Sequence, residues 1–263
     1  MQDLGTESED DGFLTGFSGL CRGAAHLTEV MVMTNRILRK LSPEARDFLD
    51  GHALTRPVSP GELIYPDRAP FTHAVFPRSG VISLMGHREN GTRAEKAAIG
   101  NEGFLGLAVI LGGGFALSNS VVRVGGEASY VPMTVMHEAG ERFACFRTIM
   151  MRYAQSLVVQ MMESVVSSRL DQAEAQVVNW LLLANRRMHG SHFMLTQDSL
   201  AEALGLRRVT VGAVWSKLKR DGIVTYSRGL LMVTDVQGLE AYASESYRRT
   251  LDAFAWQEIA DDL

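Results

Sequence analysis

The sequence has few cysteines and no long apolar run, and these two absences narrow the classes of protein it can represent. Its 263 residues include only Cys21 and Cys145. Two thiols are too few for a disulfide framework or for a four-cysteine zinc or iron–sulfur site. The longest apolar runs, such as Ala108–Leu111 and Trp180–Ala184, fall far short of the roughly 20 residues that span a bilayer. We therefore expect no metal centre and no membrane helix.

The N-terminus lacks a basic residue before Arg22, so it also lacks the positive start of a secretory signal. Residues 1–33 hold six acidic residues and show little hydrophobic periodicity. Such a segment is typical of a flexible arm that does not join a packed core. We expect the protein to be cytoplasmic.

Acidic residues outnumber basic ones in the chain as a whole, with a net charge of −4, but one segment is strongly basic. A global acidic balance argues weakly against a nucleic-acid-binding protein, although binding depends on where the bases cluster. Residues 207–220 contain no acidic residue, and their bases are Arg207, Arg208, Lys217, Lys219 and Arg220. This basic segment favours a nucleic-acid-binding protein, although the net charge of the chain is negative.

Short apolar stretches separated by Gly, Pro and Asn run from Leu54 to Val131 and predict an all-β sandwich or roll. Asn90-Gly91 is typical of a tight hairpin turn between a strand that ends near His87 and one that begins near Thr92. Before the strands, Ser42-Pro43-Glu44 is a helix-start signal, and we expect a short helix to about Leu49. The predicted β-domain spans residues 34–144.

Residues 134–188 contain no Pro and only one Gly, which favours helix. A long helix is predicted over 145–169, and a second helix over Ala175–Met188. An apolar and small-residue stripe recurs along the first at spacings of four and three: Met150, Ala154, Leu157, Met161, Ser164 and Ser168. This stripe fits a coiled-coil seam between two identical chains, but it fits equally well a helix that covers the β-domain.

Two short helices joined by a tight turn are predicted after residue 195. Thr196 can cap the first helix, and Gly205 suits the left-handed backbone of the turn. The second helix, Arg207–Arg220, is seated by apolar residues at helical spacing: Val211, Val214, Trp215 and Leu218. Two short apolar strands around Ser227-Arg228-Gly229 then form a β-hairpin wing. This order predicts a winged helix-turn-helix over residues 170–250, followed by a tail over 251–263.

These features resemble the Crp/Fnr family of bacterial transcription regulators, over roughly residues 35–247 and most specifically over Leu195–Val224. The resemblance implies an α+β fold: an N-terminal cyclic-nucleotide-binding-like β-roll, a long dimerisation helix and a C-terminal winged helix-turn-helix. It also implies a homodimer joined by the stripe from Met150 to Ser168. The implied partners are a palindromic double-stranded DNA operator and RNA polymerase.

The residues that bind cyclic AMP in the family are absent at the matching positions. Phe104-Leu105-Gly106 is followed by Leu107 where an acidic residue would meet the ribose, and Ser118 replaces the Arg that would hold the phosphate. Arg123 is the nearest substitute, although its place in an alternating strand predicts a solvent-facing charge. The candidate effector pocket comprises Phe104, Gly106, Leu107, Ser118 and Arg123. We expect an effector other than cyclic AMP, and no cofactor.

The resemblance also assigns DNA contacts. The family's base-reading trio of Arg, Glu and Arg matches Arg208, Val209 and Ala213, so only the first Arg is kept. Arg can bond both acceptors of guanine, whereas Lys and hydroxyl groups hold phosphates. The full set of predicted DNA-binding residues is Thr196, Gln197, Arg207, Arg208, Val209, Thr210, Ala213 and Lys217.

Three alternatives stay open at this point. A metal-dependent cupin-like enzyme would share the short strands, but His73, His87 and His137 are scattered rather than arranged as ligands. A haem sensor of the same family would use His73, His87 or Cys145 as an axial ligand. A cyclic-nucleotide-binding subunit without DNA binding is disfavoured by the basic helix. No catalytic motif is evident, and we predict that the protein is not an enzyme.

Overall fold

The structure, a computed structural model, describes residues 35–188 and 192–258. The predicted arm over 1–33 lies outside the described residues, as does the end of the predicted C-terminal tail. The first half of the described chain is rich in strands, and the second half is mainly helical. The α+β prediction is confirmed.

The N-terminal half contains seven strands and three short helices. The elements are α1 (Arg36–Arg39), α2 (Pro43–Asp50), β1 (Leu54–Val58), β2 (Leu63–Tyr65), β3 (His73–Pro77), β4 (Val81–His87), β5 (Arg93–Ile99), α3 (Leu107–Ile110), β6 (Asn119–Val124) and β7 (Gly126–Pro132). The strands form two antiparallel sheets with orders β1-β7-β3 and β2-β6-β4-β5. The two sheets enclose a core of apolar side chains that includes Val75, Ile82 and Val122. This is the predicted β-roll.

Local signals in the sequence set two of these boundaries. Ser42 accepts a hydrogen bond from the backbone N–H of Ala45, which caps α2 as predicted. At the β4–β5 hairpin, Gly91 has φ of +82°. Its neighbour Asn90 does not share the positive φ, but its side chain accepts a hydrogen bond from the backbone N–H of Thr92. The predicted hairpin is therefore present, with one left-handed residue in its turn.

The predicted helical region is divided into α4 (Met133–Arg142), α5 (Ala144–Leu170) and α6 (Ala173–Arg187). Extended backbone at Phe143 and Gln172 interrupts it. The 27 residues of α5 make it about 40 Å long at a rise of about 1.5 Å per residue. The N-terminal half of α5 packs against the roll, and α1, α2 and α4 pack around the same core.

The residues of the predicted stripe on α5 are buried at its N-terminal end and exposed at its C-terminal end. Met150 is completely buried in the roll core, and Leu157 packs against that core. The assignment of Met150 to a dimer interface is therefore wrong, because its side chain already has neighbours within its own chain. Ala154 is half-buried, whereas Met161, Ser164 and Ser168 are exposed. The alternative in which the stripe covers the roll is correct for its first turns.

The C-terminal half contains the predicted helix-turn-helix and wing. Its elements are β8 (His192–Met194), α7 (Gln197–Leu204), α8 (Arg208–Arg220), β9 (Val224–Ser227), β10 (Leu230–Val233), α9 (Val236–Glu240) and α10 (Glu245–Phe254). The three strands form a sheet of order β8-β10-β9. Strand β8 was not predicted, because three residues are too few to show a strand's alternation.

A buried ion pair joins the two halves. The guanidinium of Arg187, at the end of α6, bonds both carboxylate oxygens of Glu102, with the shortest distance at 2.7 Å. Its Nη2 also donates to the backbone carbonyl of Ala98 in β5. From α5, the Gln160 amide donates to the same carbonyl. These bonds fix α6 and the long helix against one strand of the roll.

We expect replacement of Arg187 by Met to destabilise the protein by about 3–5 kcal/mol, because Glu102 would keep its buried charge without a partner. Urea unfolding at one fixed protein concentration measures this. The neighbouring Arg186 is the matched control, since its ion pair with Glu258 is exposed. Arg186→Met should change the free energy of unfolding by less than about 1 kcal/mol. Equal midpoints for the two variants would contradict the prediction.

Candidate nucleic-acid interface

Helix α7 and the turn after it are fixed by their own sequence. The Thr196 hydroxyl accepts a hydrogen bond from the backbone N–H of Ser199 at 3.1 Å, as an N-cap does. At the other end Gly205 has φ of +66°, and the N–H of Leu206 donates back to the carbonyl of Ala201. A left-handed residue here turns the chain sharply, and α8 begins at Arg208.

Helix α8 is seated by the apolar residues that the spacing indicated. Val211, Trp215 and Leu218 are buried, and they pack in the same core as Leu200 of α7 and Leu181 of α6. The ring of Trp215 lies 4.8 Å from that of Tyr226 in β9, which ties the wing to the helix. The predicted seat of the second helix is confirmed.

The N-terminal turns of α8 face outward. Arg207, Arg208, Val209 and Ala213 are exposed, and Thr210 is partly exposed. Arg208 forms an exposed ion pair with Asp198 in the first turn of α7, at 3.1 Å. Gln197 is also in that turn, and its amide lies beside Gly212 of α8. The structure therefore brings seven of the eight predicted DNA-binding residues to the region where α7 and α8 meet.

The eighth residue, Lys217, lies elsewhere. Its ammonium bonds the Glu174 carboxylate of α6 at 2.7 Å and lies 4.7 Å from the centre of the Tyr242 ring. The bond to Glu174 raises the pKa of Lys217, so the ammonium stays charged. The structure thus gives Lys217 a partner within the domain, contrary to the expectation of an ammonium free for DNA phosphate. Lys219 and Arg220, at the end of the helix, are exposed.

The wing carries a further exposed basic side chain. Strands β9 and β10 are joined by Arg228 and Gly229, both with positive φ, and Arg228 is exposed at this turn. A basic residue at the tip of a wing can approach a phosphate beside the groove that the helix occupies. Sequence reasoning placed this turn correctly but did not count Arg228 among the contacts.

The predicted effector-pocket residues are buried but do not form one site. Phe104 stacks on Phe76, with ring centres 4.8 Å apart, and its carbonyl accepts a hydrogen bond from the Tyr153 hydroxyl of α5. Burial raises the pKa of that hydroxyl. Gly106 has φ of +107°, and a Cβ there would overlap Met133. Leu107 and Ser118 are likewise buried.

Arg123 belongs to a different environment. It is 7 % exposed, so the expectation of a solvent-facing charge is wrong. Its guanidinium extends from the roll toward α7. It donates to the Ser199 hydroxyl at 3.1 Å and to the Glu202 carboxylate at 3.0 Å, both in α7. It also contacts Ser83 and Met85 in β4. Arg123 therefore joins the roll to the helix-turn-helix and does not share the interior with Phe104.

Sequence reasoning missed this contact between domains. Glu202 also pairs with the exposed Arg93 of β5, at 3.4 Å, and Gly205 lies beside Ala94 of the same strand. A charge within the apolar run Val121–Val124 was a signal, but its partner is 79 residues away and no spacing identifies it. The roll thus docks on α7 and on the turn and leaves the start of α8 exposed.

Within the described ranges, no three His, Cys, Asp or Glu side chains are grouped as metal ligands would be. None of the helices in the same ranges combines the length and apolar character of a membrane span.

Comparisons with known proteins identify one domain and one fold. Residues 175–242 match the Crp-like helix-turn-helix domain. The fold is similar to FixK2 from Bradyrhizobium japonicum, with 16 % identity, 73 % of this chain and 98 % of that chain covered, and a TM-score of 0.62. TTHA1359, a Crp/Fnr-family transcriptional regulator from Thermus thermophilus, matches at 18 % identity over 72 % of this chain and 98 % of that chain, with a TM-score of 0.56.

The c-di-GMP-responsive global regulator CLP from Xanthomonas campestris matches at 12 % identity over 73 % of this chain and 99 % of that chain, with a TM-score of 0.56. No curated protein sequence matches the chain. The chain therefore contains a Crp-like helix-turn-helix domain and has the fold of the Crp/Fnr regulators.

We expect Arg123→Met to loosen α7 from the roll, because a nearly buried guanidinium loses its bonds to Ser199 and Glu202. Amide hydrogen exchange in residues 197–204 should become about tenfold faster, as the loss of one charge-assisted hydrogen bond predicts. Arg93→Met is the matched control, since it removes an exposed pair to the same carboxylate. Equal exchange in both variants would show that Arg123 does not hold the helix.

Proposed function

We propose that this chain, with its Crp-like helix-turn-helix domain on the fold of the Crp/Fnr regulators, is a dimeric transcription regulator that binds a specific DNA operator. The start of α8 enters the major groove. Exposed basic side chains at the end of α8 and at the wing tip contact phosphates. Its activity is binding, not catalysis. It acts on the chromosome in the cytoplasm, where RNA polymerase is its further partner.

One observation carries this proposal. Helix α8 buries an apolar face in its own domain, and the opposite side of its first two turns is exposed. Together with Arg207, which precedes the helix, this side carries two arginines and no acidic residue. An exposed basic helix seated on a second helix matches the way a helix-turn-helix reads base edges. The exposed pair between Arg208 and Asp198 can open at little cost, which frees the guanidinium for guanine.

Arg208→Ala should weaken binding to the selected operator by about 1–3 kcal/mol per half-site and relax the preference at one base pair. The loss of a bidentate guanine contact is the reason. Fluorescence-anisotropy titrations on the operator and on scrambled DNA, at several salt concentrations, measure both effects.

Lys217→Ala is the matched control for Arg208→Ala, because its ammonium is bonded to Glu174 and should leave base preference unchanged. Lys219→Ala should weaken binding to all sequences alike and lower the salt dependence by about one ion per half-site. If Arg208→Ala alters neither affinity nor preference, α8 is not the recognition helix.

The proposed dimer uses the outward face of α5. Three exposed apolar residues lie seven residues apart: Met151, Val158 and Val165. Each is followed three residues later by a residue of the predicted stripe, namely Ala154, Met161 and Ser168. This is the heptad spacing of a two-stranded coiled coil, in which each apolar side chain meets its own counterpart. Half of the stripe predicted from the sequence thus stays in the proposed interface, and Met150 leaves it.

We expect Val158→Asp to give monomers in multi-angle light scattering, because two like charges would meet at the two-fold axis. Val158→Lys should do the same. Mixing the two variants should restore dimers, since Asp and Lys then face each other across the axis. This complementation separates loss of the interface from loss of the fold. Dimers in either single variant would place the interface elsewhere.

The dimer sets the form of the operator. Two α8 helices related by a two-fold axis would enter successive major grooves and require a nearly palindromic site with half-sites about one helical turn apart. The effector is not cyclic AMP in this proposal. Leu107 and Ser118 offer no charge for its ribose and phosphate, and Arg123 is occupied by α7.

A further inference from the structure

The outward face of α8 carries an exposed apolar side chain. Val209 is 76 % exposed at the second position of the helix, so most of its surface is open to solvent. Ala213 is exposed one turn later, on the same side. Val has a lower helix propensity than most residues, so neither local structure nor packing explains its presence there.

The polar groups on this face are limited. Residues 208–216 contain no Asp, Glu, Asn or Gln, the residue types that accept from cytosine N4 or bond the edge of adenine. The Ser216 hydroxyl already donates to the carbonyl of Gly212 within the helix. Beside Arg208, the face therefore presents mainly methyl groups to whatever it contacts.

We propose that Val209, together with Ala213, reads the 5-methyl groups of thymine next to the guanine contacted by Arg208; this inference rests on the proposed function. The thymine methyl is the one apolar group that the major groove offers, and apolar side chains recognise it by contact. Residues four apart on a helix lie about 5–6 Å from each other. Stacked bases are about 3.4 Å apart along one strand, so the two side chains span one or two base steps.

The test begins with selection of operators from a pool of random duplexes by the full-length protein. The selected half-site should contain a guanine with thymine one or two steps away. Each thymine is then replaced in turn by uracil, which lacks only the 5-methyl group. At one or two positions the substitution should weaken wild-type binding about three- to fivefold per half-site, the effect of one buried methyl group.

Val209→Ala should bind the thymine operator more weakly, and it should no longer distinguish uracil from thymine at its position. Val209→Thr, which keeps one methyl group, should retain part of the discrimination. Val236→Ala is the matched control, because it truncates an exposed valine of the same domain that lies outside α7 and α8. It should behave as the wild type at every thymine.

The outcomes separate this inference from the proposed function. If operators are selected but uracil weakens wild type and Val209→Ala equally at every position, thymine reading by Val209 is wrong, and sequence-specific DNA binding stands. If no duplex is enriched from the pool, the proposed function fails, and this inference fails with it.

Discussion

The buried bond between Arg187 and Glu102 is the constraint on which the arrangement of the chain depends. It places a charge from the helix that begins the DNA-binding half inside the edge of the β-roll, where only a carboxylate can balance it. Gly100 is required beside it, because a Cβ there would overlap the Arg187 side chain. Positions of α6 that would separate Arg187 from Glu102 are disfavoured, because each would leave a buried charge without a partner.

The docking of the helix-turn-helix on the roll follows from that position. With α6 fixed on β5, α7 comes within reach of Arg123, and the core of the DNA-binding half includes Val81, Ala98 and Val124 from the outer face of the roll. The two halves thus share apolar core as well as ion pairs. These contacts connect the roll to α7, and the outward side of the first turns of α8 stays exposed.

The Lys and Arg side chains of the structure have different surroundings. Arg187 and Arg123 are buried and hold the two halves together, and Lys217 is used within the DNA-binding half by Glu174. Arg207, Arg208, Lys219, Arg220 and Arg228 are left exposed. Charge clustering along the chain indicated a nucleic-acid partner, but only the exposed subset of those bases can meet one.

The sequence alone determined the β-roll, the caps at Ser42 and Thr196, the turn at Gly205 and the helix-turn-helix itself, because caps, turns and hydrophobic periodicity act over a few residues. It also identified most of the side chains that the structure brings together where α7 and α8 meet. Only the tertiary structure decided that Met150 is core, that Arg123 holds α7 and that Lys217 bonds Glu174. These outcomes depend on partners between 43 and 79 residues away, or on which helix face another element covers. The spacing of residues along the chain does not predict such contacts, because the partners come together only when the chain folds.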